Sequence, residues 1–130
     1  MTRARILLAD DHEEMRDRVV SLLEHEFEML EPVADGRALL LAAAKVKPDL
    51  CLLDISMPII NGIEAATKLK ESGSTAKVVF LTIHEDQDFV RAALKTGALG
   101  YVVKSRIATE LRVALREALA GRRFISSSIS

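Results

Sequence analysis

Four short apolar runs, each ended by a polar residue and separated by helix-patterned stretches, constrain this chain more than any other feature. Ile6-Leu7-Leu8-Ala9 ends at Asp10-Asp11, and Leu50-Cys51-Leu52-Leu53 ends at Asp54. Val78-Val79-Phe80-Leu81 ends at Thr82, and Tyr101-Val102-Val103 ends at Lys104. Runs this brief and unbroken read as strands buried on both faces, hence as a parallel sheet covered by helices. The polar ends then emerge together at one edge of that sheet.

The segments between the runs support this reading. The first strand covers about 5–9, and Met15, Val19, Leu22, Leu23 and Phe27 recur at helical spacing, predicting a helix over about 13–26. Residues 29–34 predict a second strand, which Pro32 assigns to a sheet edge. Arg37 to Lys47 is rich in Leu and Ala and stops before Pro48, leading into a third strand over about 49–53. A loop punctuated by Pro58 and Asn61-Gly62 opens a helix that runs to about Ser72. A fourth strand covers about 77–81, and Asp86 is placed as N-cap of a helix to Thr96, stopped by Gly97. A fifth strand covers 100–103, and Ile107, Leu111, Leu115 and Leu119 space a last helix to Ala120. The expected fold class is α/β: a doubly wound, five-stranded parallel sheet with helices on both faces. Residues 4–123 form the expected domain, and 124–130, ending Ser126-Ser127-Ser128-Ile129-Ser130, read as a linker-like tail.

A chain of 130 residues is long enough to bury a core without disulfides. Its net charge of −1 offers no electrostatic reason to bind nucleic acid or an anionic membrane. The lone Cys51 sits inside an apolar run, as a small buried hydrophobe suited to a reducing compartment. No stretch approaches the roughly 20 apolar residues of a membrane span, and the apolar run before Asp10 is too short for a secretion signal. A soluble, cytoplasmic protein is expected, with no membrane partner.

Ligands of open parallel sheets bind beyond the carboxyl ends of the strands. There Asp10, Asp11 and Asp54 offer oxygen donors suited to Mg²⁺, with Asp11 and Asp54 the best placed as direct ligands. Backbone carbonyls after Asp54, with Ser56 the chosen one, complete the shell. Asp54 is the candidate nucleophile towards a phosphoryl group. Lys104 is placed to neutralise the transferring oxygens and Thr82 to donate a hydrogen bond to them. One strand-end aspartate alone is more simply a turn or cap residue; five converging polar groups are not. His12 beside two aspartates could suit a transition metal, but the oxygen-rich set favours Mg²⁺ and leaves His12 as a helix-start residue. His25 reads as solvated, and Leu39-Leu40-Leu41 as helix core.

Asp10-Asp11, Asp54-x-x-Met57-Pro58-x-x-x-Gly62, Thr82, Tyr101 and Lys104, in this order, resemble the receiver domain of bacterial two-component response regulators. The resemblance spans about 4–123 and implies a flavodoxin-like strand order 2-1-3-4-5. It implies that Asp54 is phosphorylated by a sensor histidine kinase, that Asp10 and Asp11 bind Mg²⁺, and that Thr82 and Lys104 sense the phosphoryl group. Tyr101 matches an aromatic switch that turns inward on activation, with homodimerisation as one outcome. Thr82-Ile83-His84-Glu85, Gly97 to Ser105 and Ala120 to Ser126 resemble the NarL/FixJ type. That type continues into a helix-turn-helix domain, absent from this chain, through which alone DNA would be reached. A stand-alone receiver acting by protein–protein interaction is the alternative.

Two positions depart from the family pattern. Ser105 follows Lys104 where many receivers carry a proline, leaving the geometry of that bond open, and Ile83 is bulkier than the usual small residue. Ser56 and His84 flank the site, where they would influence attack by water. An aspartyl-phosphate phosphatase would place an acid two residues after the nucleophile, where Ser56 stands, so a switch is expected and not a turnover enzyme. A phosphate-binding nucleotide or flavin carrier is disfavoured because Asp10 to Glu14 would repel an anion.

Overall fold

The computed structural model describes residues 2–129. The strands are β1 (Arg5–Ala9), β2 (Glu28–Met29), β3 (Leu50–Leu53), β4 (Lys77–Thr82), β5 (Gly100–Val103) and β6 (Phe124–Ile125). The helices are α1 (Glu13–Leu23), α2 (Gly36–Val46), α3 (Gly62–Glu71), α4 (Gln87–Lys95) and α5 (Ile107–Leu119). All strand pairs are parallel, in the order β2-β1-β3-β4-β5-β6.

Alternation along the central strands divides the core in two. Leu7, Ala9, Cys51, Leu53, Phe80 and Tyr101 face one side, against Leu39 and Ala43 of α2, Ala65, Ala66 and Leu69 of α3, and Val90 and Ala93 of α4. Ile6, Leu8, Leu50, Leu52, Val79, Leu81 and Val102 face the other, against Val19 and Leu23 of α1 and Leu111, Leu115 and Ala118 of α5. Both faces being apolar explains why the runs are continuous. Among the described residues, no helix is long and apolar enough to cross a membrane.

The largest difference from expectation is the sixth strand. Residues 124–127, read as part of a linker-like tail, are held by the fold: Phe124 N–H donates to Leu99 O and Ser126 N–H to Tyr101 O, both at 2.8 Å. Gly121, at φ 81°, turns the chain out of α5 so that this pairing is reached. Ser126 is only 1% exposed, and Ile129 packs against the Tyr101 side of the core. Ser130 lies outside the described residues.

Smaller differences have local causes. β2 is two residues long, and after Pro32 only Val33 returns, as a bridge to Ala9, because proline has no N–H to donate. Helix α1 stops at Leu23. Asp86 is the N-cap of α4 but its carboxylate makes no capping bond. Asp35 and Asn61 do cap α2 and α3, accepting from Ala38 N–H at 2.7 Å and Glu64 N–H at 2.9 Å. Lys104–Arg106 is a single 3₁₀ turn, and the Lys104–Ser105 bond is trans.

Candidate functional site

The run ends converge as the topology requires. Asp10 follows β1, Asp54 follows β3, Thr82 ends β4 and Lys104 follows β5. The sheet ladder continues past the strands, with Asp54 N–H donating to Ala9 O at 3.0 Å and Asp10 N–H to Val33 O at 3.1 Å. Both carboxylates are therefore fixed by their own backbones. Asp10, Asp54 and Thr82 are 1%, 4% and 0% exposed, whereas Asp11 and Ser56 are exposed.

Lys104 is the common counter-charge. Its Nζ donates to Asp54 Oδ2 at 3.1 Å and lies 2.8 Å from Asp10 Oδ2. The second contact is ionic, for Asp10 Oδ2 is buried without an aligned hydrogen-bond donor. Burial opposes the ammonium, but its contact with Asp10 and the charges of Asp54 and Asp10 outweigh burial and hold Lys104 above the usual lysine pKa. Burial, reinforced by the Asp10 charge, raises Asp54 above the usual carboxylate value although Lys104 pulls the other way. Proximity and desolvation thus leave the Asp54 carboxylate buried and only partly compensated by positive charge.

Asp10, Asp11, His12 and Asp54 each present a ligand atom, all within 4.8 Å of one another. His12 is the N-cap residue of α1 without a side-chain capping bond. Its N–H donates to Asp10 Oδ1 at 2.9 Å, and its Nδ1 lies 3.2 Å from Asp10 Oδ1 and 3.1 Å from Asp11 Oδ1. Three carboxylates and an incompletely satisfied buried oxygen fit a hard divalent cation. An open cleft of about 680 Å³, lined by Asp11, Ser56, Met57, Asn61, Glu64 and Phe89 among others, leads to this edge.

Local chain geometry shapes the approach. Ile60 N–H closes a turn onto Pro58 O at 2.8 Å, forcing Ile59 to φ 71° with its side chain 73% exposed. Gly62 starts α3 so close to the site that a Cβ there would lie 2.0 Å from Asp54 O.

On the β4–β5 side, Thr82 Oγ1 accepts from His84 N–H at 3.3 Å. Tyr101 is fully buried and its hydroxyl donates to His84 O at 2.7 Å. Burial first, then the charges of Asp86 and Glu85, push its pKa up to about 12. The His84 ring stacks on Phe89 with centroids 4.1 Å apart, and its Nε2 meets Ser56 Oγ at 2.8 Å. Ile83 points outward, 69% exposed. Asp10, Asp11, Asp54, Thr82 and Lys104 come together at this edge, whereas Tyr101 lies inside β5 and only its hydroxyl reaches His84, which Ser56 also meets. What sequence reasoning missed is the bridging by His12 and His84; their closeness to Asp10-Asp11 and Thr82 was the available signal.

The comparisons with known proteins agree with this geometry. The model of the response regulator receiver domain matches residues 6–116. Transcriptional regulatory protein DegU of Brevibacillus brevis is 35% identical over 98% of this chain and 55% of its own length. Nitrate/nitrite response regulator protein NarL of Escherichia coli K12 is 33% identical over 98% of this chain and 60% of its own. The chain thus spans less than two thirds of these relatives. A crystal structure of a LuxR-family two-component response regulator from Aurantimonas sp. SI85-9A1 superposes with a TM-score of 0.93 at 32% identity, over 98% of this chain and 93% of that one. The chain belongs to the response regulator receiver domain family, of the NarL/FixJ type, and is a signalling switch of that family.

Proposed function

We propose that Asp54 is the phosphoacceptor of this receiver, taking its phosphoryl group from a phosphohistidine of a sensor histidine kinase. An Asp54 oxygen attacks phosphorus, the P–N bond breaks, and the imidazole leaves with the electron pair. The observation that carries this reading is the sharing of one ammonium, Lys104, by two buried carboxylates at 2.8 and 3.1 Å. Asp10, Asp11, Asp54 and the Ser56 carbonyl would hold Mg²⁺, which when bound offsets the negative charge of the phosphoryl oxygens. Lys104 then turns from Asp54 to the new phosphoryl oxygens, and Thr82 donates its hydroxyl proton to them. The reacting carboxylate is regenerated by slow hydrolysis, because Ser56 supplies no acid for rapid turnover.

Thr82 and Tyr101 meet at His84, through its N–H and its carbonyl, so capture of Thr82 by a phosphoryl group pulls on the segment that anchors the phenol. The consequence is a bias between two existing states of the α4–β5–α5 surface, favouring homodimerisation. In a longer protein of the DegU and NarL kind this surface would control a DNA-binding domain. The cytoplasm is the compartment that fits this chemistry.

Incubation with Mg²⁺ and acetyl phosphate, followed by intact mass measurement, tests the reading. One phosphoryl adduct is expected, absent in Asp54→Asn. No adduct on a folded parent protein would remove Asp54 from the role. Sizing with beryllofluoride tests dimerisation, and an unchanged monomer removes that part.

A further inference from the structure

The β5–α5 corner carries a polar network that phosphotransfer at Asp54 does not itself use. Glu110 of α5 is only 7% exposed. Its Oε1 accepts from Ser126 Oγ at 2.6 Å, and its Oε2 from Ser127 Oγ at 2.6 Å and Ser127 N–H at 3.1 Å. Ser126 Oγ in turn accepts from Val103 N–H at 2.9 Å. Arg106 Nε lies 3.4 Å from Glu110 Oε2, and Arg106 Nη2 donates to Ser127 Oγ at 3.1 Å. Burial penalises the Glu110 carboxylate, yet the two serines and Arg106 more than compensate.

Val103 and Arg106 bracket Lys104. A single buried carboxylate therefore reaches both ends of the turn that bears the site lysine, and through Ser126 and Ser127 it also holds the segment after β6. That segment touches the switch side too, since Ser126 N–H donates to Tyr101 O at 2.8 Å. Strand β6 is only two residues long, so most of what orders 126–127 is this network. We propose that Glu110, Ser126 and Ser127 form a clasp in which Glu110 is a positioning residue for Lys104, so that the state of Asp54 and the seating of residues 126–127 bias each other. This rests on Asp54 being the phosphoacceptor. Linkage makes the coupling reciprocal: whatever phosphorylation does to the clasp, the clasp does to phosphorylation. The segment leaving the domain is then part of the switch.

Amide hydrogen exchange and adduct formation from acetyl phosphate, measured on the same proteins, test this. Ser126→Ala is expected to speed exchange at Val103 and Ser127 about tenfold, the effect of losing a buried hydrogen bond. It should also slow adduct formation about threefold or more, as Lys104 loses its fixed position. Ser126→Thr, which keeps the hydroxyl, should restore both. Beryllofluoride with Mg²⁺ should alter Ser127 exchange in the parent protein and leave it unaltered in Asp54→Asn. If Ser126→Ala does not melt cooperatively, Ser127→Ala at an exposed position takes its place under the same criteria. Parental adduct kinetics in a variant whose exchange is accelerated would overturn the proposal and leave the phosphoacceptor role standing. A parent protein that forms no adduct would defeat the phosphoacceptor role, and this proposal with it.

Discussion

Asp54 is held where its charge is least comfortable: buried, beside Asp10, with only a share of Lys104. Burial first and the Asp10 charge next raise its pKa, so the folded protein binds a proton there more readily than the unfolded chain. Stability associated with this residue therefore falls as pH rises from the usual value of 3.8 through the higher folded value. Asp54→Asn is expected to raise the urea midpoint at pH 7, and an unchanged or lower midpoint would contradict the account. A second strained residue is Ile59, β-branched at φ 71° and exposed, so its side chain gains little from where it sits. Ile59→Asn should stabilise by about 1 kcal/mol in equilibrium unfolding, because asparagine tolerates positive φ.

Elements place these residues, and the tightest placement is the start of α3. Gly62 lets the helix abut the chain leaving Asp54, where a methyl group would meet the Asp54 carbonyl oxygen at 2.0 Å. Backbone, not a flexible side chain, would have to give way. Gly62→Ala should cost about 3 kcal/mol and slow adduct formation at Asp54 as well, measured by urea unfolding and intact mass. Strands β1, β3, β4 and β5 were legible because burial on both faces leaves unbroken apolar runs, and the site was legible because polar residues end them. Strand β6 was not. Ser126 and Ser127 just after it read as linker since their partner, Glu110, is 16 and 17 residues away on a helix whose polar positions look solvent-facing. The short β2 was over-read because Val33 returns only as a bridge after Pro32. The roles of His12 and His84 were hidden for a similar reason, as they depend on backbone atoms and rings brought together only by the fold.

At the scale of the whole molecule, two buried carboxylates respond to acid in opposite directions. Glu110 is held below its usual value of 4.5 because its bonds to Ser126 and Ser127 and the Arg106 charge exceed the burial penalty. Its contribution is complete above that usual value and is lost as pH falls through the lower folded value. Asp54 instead takes up a proton early and relieves a penalty. In Glu110→Gln the fall in urea midpoint between pH 7 and about pH 3 should be smaller than in the parent, and in Asp54→Asn larger. Equal slopes in all three proteins would show that neither group governs acid stability. The clasp also joins the last residues to the sheet, so removal of 124–129 should destabilise the domain instead of trimming an inert end.

Tyr101 is the only tyrosine of a chain with no tryptophan. The phenol, which donates to the carbonyl of His84 two residues along the chain from Thr82, is therefore the protein's only near-ultraviolet emitter of consequence. Its quantum yield and its near-ultraviolet circular dichroism report the environment of a single hydroxyl, unlabelled and in real time. Titrating Mg²⁺, beryllofluoride or a phosphodonor in a cuvette tests the proposed coupling between Asp54 and Tyr101 without any engineered probe.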